Sequence, residues 1–359
     1  MSAESLLRDP GFQLNILLWM TREQPRNAYL VRPLFRELGF DLLYIENPFP
    51  LPEETARAAN ATGLDISVTP EPDVLLRRDS DRKALYIEAK ARSFSVASSD
   101  SRQARGHLLA AGPAFAEVMK PLEECLLCYM VPDADGPQMG TCLTSLADEL
   151  RHSKLKPGAH SIHGLKLNGT DVQYTWDAPF IAHTGIADSS AVILQHVTDD
   201  TDPSPLFLVF SAEDYPDPTR QDLNRRVFQN QLHAVLLCEL NQNPTSSLYT
   251  RTIDDLLLKT TDGIFQYIGR ERQRTMRRLI RENLFKRIFS FWREKEPGLV
   301  RLEGDTIEVS FRDAVQRGQF LDWLEDYKRT IFSTAPLLIE EQLPLLKMME
   351  PQSNGRPCQ

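Results

Sequence analysis

The chain has 359 residues, 42% of them hydrophobic, five cysteines and a formal net charge of −9. That length exceeds one ordinary domain and allows a sizeable core, while no run approaches the ~18 apolar residues of a membrane span and no basic-then-apolar leader opens the sequence. An odd set of scattered cysteines offers no disulfide framework and the acid excess argues against bulk nucleic-acid binding, so the expectation is a soluble, cytoplasmic protein with no membrane partner.

In chain order, Leu14 to Met20 reads as amphipathic, and Leu30, Val31, Leu34, Phe35 and Leu38 recur at helical spacing over Asn27 to Leu38. Gly39 suits the position past a helix end, and FDLLYI (40–45) is a strand broken by Asn47-Pro48. A short polar helix over Glu53 to Asn60 follows. Pro70 and Pro72 then hold the backbone extended before Asp73. Val74 to Leu76 and Ala84 to Ala89 form two strands around the solvated turn RRDSDRK (77–83). Ser101 to Met119 is helical, Cys125 to Val131 is a fully apolar strand, and Thr144 to His152 is a further helix.

Beyond these elements lie β-like runs (DVQYTW, AVILQHV, LFLVF) and then mostly helical sequence: Arg225 to Glu239, Thr252 to Tyr267 and a long stretch from Arg270 to Glu294. A hairpin turning at Gly304-Asp305 and a helix over Phe320 to Phe332 complete the pattern. The expected organisation is an α/β domain over 1–145, a β-containing middle region over 146–215, a mostly helical C-terminal region with a basic helix over 216–335, and a tail over 336–359 that is disordered after Met349.

The chemistry concentrates in PDVLLRRDSDRKALYIEAK (72–90). Side chains alternate along a strand, so Glu88 and Lys90 share a face while Ile87 and Ala89 point the other way. A hairpin turning near Asp79 to Arg82 brings Asp73 across from the end of the second strand, close to Glu88. Two converging carboxylates repel unless a cation joins them. Hard oxygen donors without histidine or cysteine suit Mg²⁺ or Mn²⁺, and a neighbouring lysine can orient a water and stabilise charge growing on phosphorus. The bland alternative for Glu88 and Lys90 is an ion pair on an exposed sheet face.

Pro72-Asp73 followed by Glu88-Ala89-Lys90 resembles the motif of the PD-(D/E)xK nuclease superfamily, over roughly residues 27 to 132. The resemblance implies an α/β fold with a restriction-endonuclease-like core (αβββαβ, a mixed sheet flanked by helices). It further implies Asp73 and Glu88 as metal ligands, Lys90 as the catalytic lysine, and hydrolysis of phosphodiester bonds in nucleic acid, with DNA favoured over RNA. Some branches carry Gln-x-x-x-Tyr on the following helix; Gln103 falls at that place, with His107 where the tyrosine would stand, sharing its helix face and placed to contact a phosphate. Glu37 is the candidate for an acidic residue on the first core helix. The implied setting is restriction or antiphage defence in a bacterial cell, with a helicase or other ATPase as partner subunit and a homo-oligomer as a further option. The competing reading is a catalytically inactive member of the fold that binds nucleic acid or scaffolds a complex.

A second stretch, Gly269 to Lys295, holds ten Lys or Arg against three Glu, so it carries +7 and the remainder of the chain −16. Arg270, Arg274, Arg277 and Arg281 fall on one helix face opposite an apolar stripe of Met276, Leu279, Ile280, Leu284, Ile288 and Trp292. That face is either a phosphate track or a set of cations paired with acidic side chains elsewhere. Cys125 and Cys128 have zinc-knuckle spacing but face opposite ways on a strand, and Cys142 lacks a fourth partner, so all three read as buried structural cysteines. His152, His160, His163, His183 and His196 show no ligand spacing, and no phosphate-binding glycine loop or serine-esterase elbow is present.

Overall fold

The computed structural model describes residues 2–22, 31–198, 231–282, 284, 285 and 289–333. The chain divides into two units: Met1–Pro203 with Tyr267–Gly269, and Ser204–Gln266 with Arg270–Gln359.

The first unit is an α/β structure on one seven-stranded mixed sheet flanked by helices, in the spatial order β1 to β7. Its strands are β1 (Asp41–Ile45), β2 (Val74–Arg78), β3 (Lys83–Ala89), β4 (Glu124–Pro132), β5 (Ala159–Asn168), β6 (Asp171–Trp176) and β7 (Ser190–Leu194). The first three pair antiparallel, β4 joins β3 in parallel, β5 joins β4 in parallel, and β6 and β7 close the sheet antiparallel. Among its helices are α1 (Ala3–Leu6), α2 (Pro10–Met20), α3 (Leu34–Glu37), α4 (Glu53–Ala61), α5 (Asp100–Ala110), α6 (Pro113–Val118), α7 (Gly136–His152) and α8 (Ala178–Thr184).

Strand β4 is apolar from Cys125 onward because both its faces are covered. Leu127, Tyr129 and Val131 join a core built with Leu75, Ala84 and Tyr86 and with Leu108, Leu109, Met139, Leu143 and Leu146 of α5 and α7. Cys128 and Met130 are buried on the other side. A strand buried on both faces and paired on both edges cannot end a sheet, which corrects the boundary drawn at 145: it falls inside α7, and the strands assigned to a separate middle region complete the same sheet.

Several elements differ from expectation for local reasons. The helix expected over Asn27 to Leu38 is a single turn, Leu34–Glu37, which starts after Pro33, a residue that has no amide to donate inside a helix; residues 27–30 lie outside the described residues. The segment expected to be amphipathic near Leu14 is buried on every side from Gly11 to Met20. The helix expected over Ser101 to Met119 is two, divided at Gly112-Pro113. In contrast, α7 begins eight residues before Thr144, with Pro137 in its first turn, where a missing amide donor costs nothing.

The second unit contains a helix α9 (231–242), β8 (Leu248–Thr252), α10 (Ile253–Thr260), α11 (Arg270–Arg281), α12 (Ser290–Lys295), β9 (Val300–Glu303), β10 (Thr306–Ser310) and α13 (Ala314–Ser333). The hairpin β9–β10 forms with Gly304 at φ +62°, and β8 adds to it as a third strand. Of the long helix expected over Arg270 to Glu294, Arg270–Arg281 and Ser290–Lys295 are α-helical, and 282, 284 and 285 take the wider π-helical turn. The run LFLVF (206–210), the first turns expected at Arg225 and the expected tail lie outside the described residues.

One close approach positions α5. A Cβ built on Gly106 would stand 2.4 Å from the Ser67 carbonyl oxygen, and Ser67 N–H donates to the Arg102 carbonyl at 3.0 Å. The helix is therefore seated against the extended segment that leads into Asp73. Gly106→Ala should destabilise the protein by about 1–3 kcal/mol, the usual range for overpacking, read as a lower denaturant midpoint in chemical unfolding.

Candidate active site

The β2–β3 hairpin sets the geometry. Its register pairs Val74 with Ile87, Leu75 with Tyr86 and Arg78 with Lys83, leaving Asp79 to Arg82 as the turn. One step beyond the Val74–Ile87 pair, at the end away from the turn, Asp73 faces Glu88. Asp73 also lies on the same face as Leu75, Tyr86 and Glu88, because faces alternate. The approach to Asp73 is braced along its length: Leu51, Phe49 and Glu46 N–H groups donate to the carbonyls of Val68 (2.9 Å), Pro70 (2.8 Å) and Asp73 (3.1 Å).

Three charged groups meet at this end of the sheet. The Asp73 Oδ2 accepts the Ala89 amide at 2.6 Å. Lys90 Nζ lies 2.8 Å from Glu88 Oε1, with the Glu88 side chain 3% exposed and the Lys90 side chain 24% exposed. Glu88 and Lys90 thus do share a face, as the alternation requires, but Glu88 is buried, so the alternative of an exposed surface ion pair does not describe it. Lys90 N–H donates to the Met130 carbonyl at 2.8 Å, and its own carbonyl accepts from Gln13 Nε2 at 3.1 Å, so both sides of the strand end are held.

Electrostatics match this crowding. Burial, then the neighbouring Glu88 charge, pushes the Asp73 carboxyl up to about 8. Burial also raises Glu88, with the Lys90 ammonium and the Asp73 amide opposing it. Lys90 feels burial pulling its pKa down, yet the Glu88 and Asp73 carboxylates hold it above its ordinary value.

The helix α5 supplies the roof. His107 is fully buried; its Nδ1 lies 3.0 Å from the Tyr129 hydroxyl and its Nε2 4.0 Å from Glu88 Oε2. Burial, helped by the nearby Lys90 charge and opposed by the Glu71 main chain, lowers the His107 pKa to about 3, so the ring is neutral at ordinary pH. Full burial corrects the expectation that His107 contacts a phosphate: the helix turns that face into the sheet, where the ring hydrogen-bonds Tyr129 and stands near Glu88. Gln103, one turn earlier, is half-buried, and its Nε2 donates to the Glu71 carbonyl at 3.4 Å, two residues before Asp73. It supports the segment that carries Asp73.

Glu37 is not brought here. It forms an ion pair with Arg32 at 2.8 Å on the single-turn helix α3. The carboxylate that does act on Asp73 and Glu88 is Glu71, whose charge raises both. The sequence carried a signal for it, since Glu71 is two residues before Asp73 in an extended run and so falls on the same face. Tyr129, level with Glu88 in the β3–β4 ladder, and Tyr86, two residues before Glu88, were also missed. Tyr129 could be aligned with Glu88 only once the parallel register was known.

Two observations favour a cation at this place. Glu88 Oε2 is buried without a hydrogen-bond partner among the described residues, and the two carboxylates repel each other. The donors are hard oxygens, few in number, of the kind Mg²⁺ and Mn²⁺ accept while keeping waters. The residues present therefore fit such an ion. Among the described residues no group of three or more His, Cys, Asp or Glu side chains converges as a ready-made metal cage.

In the second unit the arginine face is divided. Arg277 pairs with Asp254 through two hydrogen bonds of 2.7 and 2.9 Å, and Arg281 pairs with Asp305. Arg270 and Arg274 are exposed, and no acidic side chain among the described residues pairs with either. Half of the expected track is thus internal ion pairing. Cys128 and Cys142 are buried and Cys125 half-buried, all as free thiols. His163 is enclosed against Tyr174 and Phe180 in the sheet.

No family model, no curated protein and no solved structure matches this chain. No helix among the described residues is long and apolar enough to cross a membrane.

The pKa shifts dictate how stability varies with pH. A carboxyl with a folded pKa above its unfolded value keeps a proton that the unfolded chain has already lost, so stability falls as pH rises between those values. For Asp73 the window runs from 3.8 to about 8. His107 and His163, both lowered to about 3 from 6.5, act oppositely, and their contribution is complete above 6.5. The metal-free protein should therefore lose melting temperature between pH 6.5 and 8, and Asp73→Asn should flatten that slope.

Proposed function

We propose that the chain is a metal-dependent nuclease of the PD-(D/E)xK type that hydrolyses phosphodiester bonds, with DNA favoured over RNA. The observation that carries this reading is the meeting of Asp73, buried Glu88 and Lys90 at one end of the β2–β3 hairpin, with Lys90 2.8 Å from Glu88 and still partly open to solvent. A restriction-endonuclease-like core is the finer fold assignment that goes with it. Its support is the element order α3, β1, α4, β2, β3, α5, α6, β4, which follows the expected pattern with α4 and α6 added, and the two motif strands flanked by β1 and β4.

Asp73 and Glu88 would hold Mg²⁺ or Mn²⁺, which supplies Lewis-acid polarisation of a phosphoryl oxygen and a more acidic bound water. The chain's own residues account for the rest. Lys90 is a cation beside the reacting position, held protonated by two carboxylates, and it stabilises negative charge as it grows on phosphorus. Asp73 is kept in place by the Ala89 amide, so the carboxylate need not reorganise. Gln103 steadies the Glu71 carbonyl and with it the strand entering Asp73. Arg270 and Arg274 are proposed to grip nucleic acid, and a helicase or other ATPase partner in a defence setting accords with a chain that has no phosphate-binding loop of its own.

Cleavage of linear and circular DNA, with RNA in parallel, should require Mg²⁺ or Mn²⁺ and stop with EDTA. Glu88→Gln and Lys90→Met should each lower the single-turnover rate by about 10²-fold or more while leaving the circular dichroism spectrum unchanged. Full cutting by both variants would sink the assignment. For Arg270→Ala with Arg274→Ala, DNA affinity should fall uniformly across sequences and the salt slope of log K should shrink by about 1 per arginine. Arg277→Ala should instead lower thermal stability, since it leaves Asp254 without its partner.

A further inference from the structure

His107 and Tyr129 are buried beside Glu88 and take no part in the chemistry described above. Both rings are fully enclosed, with centroids 6.1 Å apart. Glu88 Oε2 and His107 Nε2 make no hydrogen bond of ordinary geometry among the described residues, nor does the hydroxyl of Tyr86, whose ring lies 5.2 Å from that of His107, although the Glu71 main chain acts on the His107 ring. Glu88 Oε2 and His107 Nε2 lie 4.0 Å apart. Buried polar atoms are normally satisfied, so a complementary pair left just out of contact calls for an explanation.

The proton positions follow from the neighbours. A neutral imidazole carries one N–H. Nε2 faces Glu88 Oε2, an acceptor, and the Glu71 main chain favours a proton on the ring as well. An unprotonated Nε2 would set a lone pair against a carboxylate, so the proton belongs on Nε2. Nδ1 is then an acceptor, and the Tyr129 hydroxyl at 3.0 Å donates to it. Tyr129 thus fixes the tautomer that aims an N–H at Glu88, in a line running Tyr129, His107, Glu88, Lys90.

We infer that His107, with its tautomer set by Tyr129, is a positioning residue that holds Glu88 for its role as a metal ligand. One carboxylate oxygen of Glu88 is occupied by Lys90 and the other faces His107, so the carboxylate plane is gripped from both sides. A shift of under an ångström in the Glu88 side chain would bring Oε2 into hydrogen-bonding range of Nε2. This inference rests on the metal-site reading above.

The test is Mn²⁺ binding to the full-length protein, measured from the electron paramagnetic resonance of free Mn²⁺, without reference to cleavage. Outer partners of metal ligands usually contribute about 10- to 100-fold in metal affinity. His107→Leu and Tyr129→Phe should therefore weaken Mn²⁺ binding within that range, and His107→Gln, which keeps an N–H donor, should restore most of it. In a Glu88→Gln background the effect of His107→Leu should vanish. Unchanged Mn²⁺ affinity in folded His107→Leu and Tyr129→Phe would overturn the positioning role while leaving the metal site standing. A wild-type protein that neither binds Mn²⁺ nor cuts would overturn both. Should His107→Leu fail to fold, Tyr129→Phe, which removes one hydroxyl and keeps the ring, decides the matter by the same two outcomes.

Discussion

Two carboxylates and one ammonium are confined at the end of a buried hairpin, and much of the first unit serves to keep them there. Asp73 and Glu88 repel, and burial raises the cost of charging either. Lys90 offsets part of that cost through its contact with Glu88, and the Ala89 amide offsets another part at Asp73. Neither is enough to bring Asp73 back to an ordinary carboxylate pKa. With Asp73 ionised the pair carries one more negative charge than Lys90 balances, a surplus that a bound cation would offset.

The construction around this pair is consistent with such a strain. The residues ahead of Asp73 are fastened by three backbone hydrogen bonds to the segment after β1, and α5 is seated on them at Gly106. Strand β4 is apolar on both faces and lies parallel to β3, so the Glu88 end of β3 cannot slide without uncovering Tyr86, Ile87, Tyr129 and Met130 together. Rigid elements thus hold the charged groups, and the partial exposure of Lys90 leaves one side open.

The second unit distributes charge differently. Its basic helix spends Arg277 and Arg281 on Asp254 and Asp305, and a buried Glu239 is matched by Tyr249, Arg251 and Lys259. Pairs of this kind organise a fold, and breaking one leaves a charge without compensation. At Arg270 and Arg274 the helix keeps two exposed cations that no acidic side chain among the described residues neutralises.

Much of the site was legible in the residues alone, because strand alternation and hairpin register are local rules. The alternation put Glu88 and Lys90 on one face, and a turn at Asp79 to Arg82 put Asp73 opposite Glu88, before any long-range contact was known. What the sequence could not determine depends on packing between distant segments. Helical spacing placed Gln103 and His107 on one face, but only the seating of α5 on the sheet decided that this face points inward and that His107 meets Tyr129 and Glu88. The strands after residue 145 looked like a separate region because their pairing with β4 crosses a long helix, and parallel pairing leaves no local trace. Likewise, a row of arginines on one helix face reads the same whether it meets phosphates or carboxylates. Asp254 and Asp305, 23 and 24 residues away in the chain, were assigned to Arg277 and Arg281 by tertiary structure, since an ion pair is set by distance in space and not by spacing in sequence.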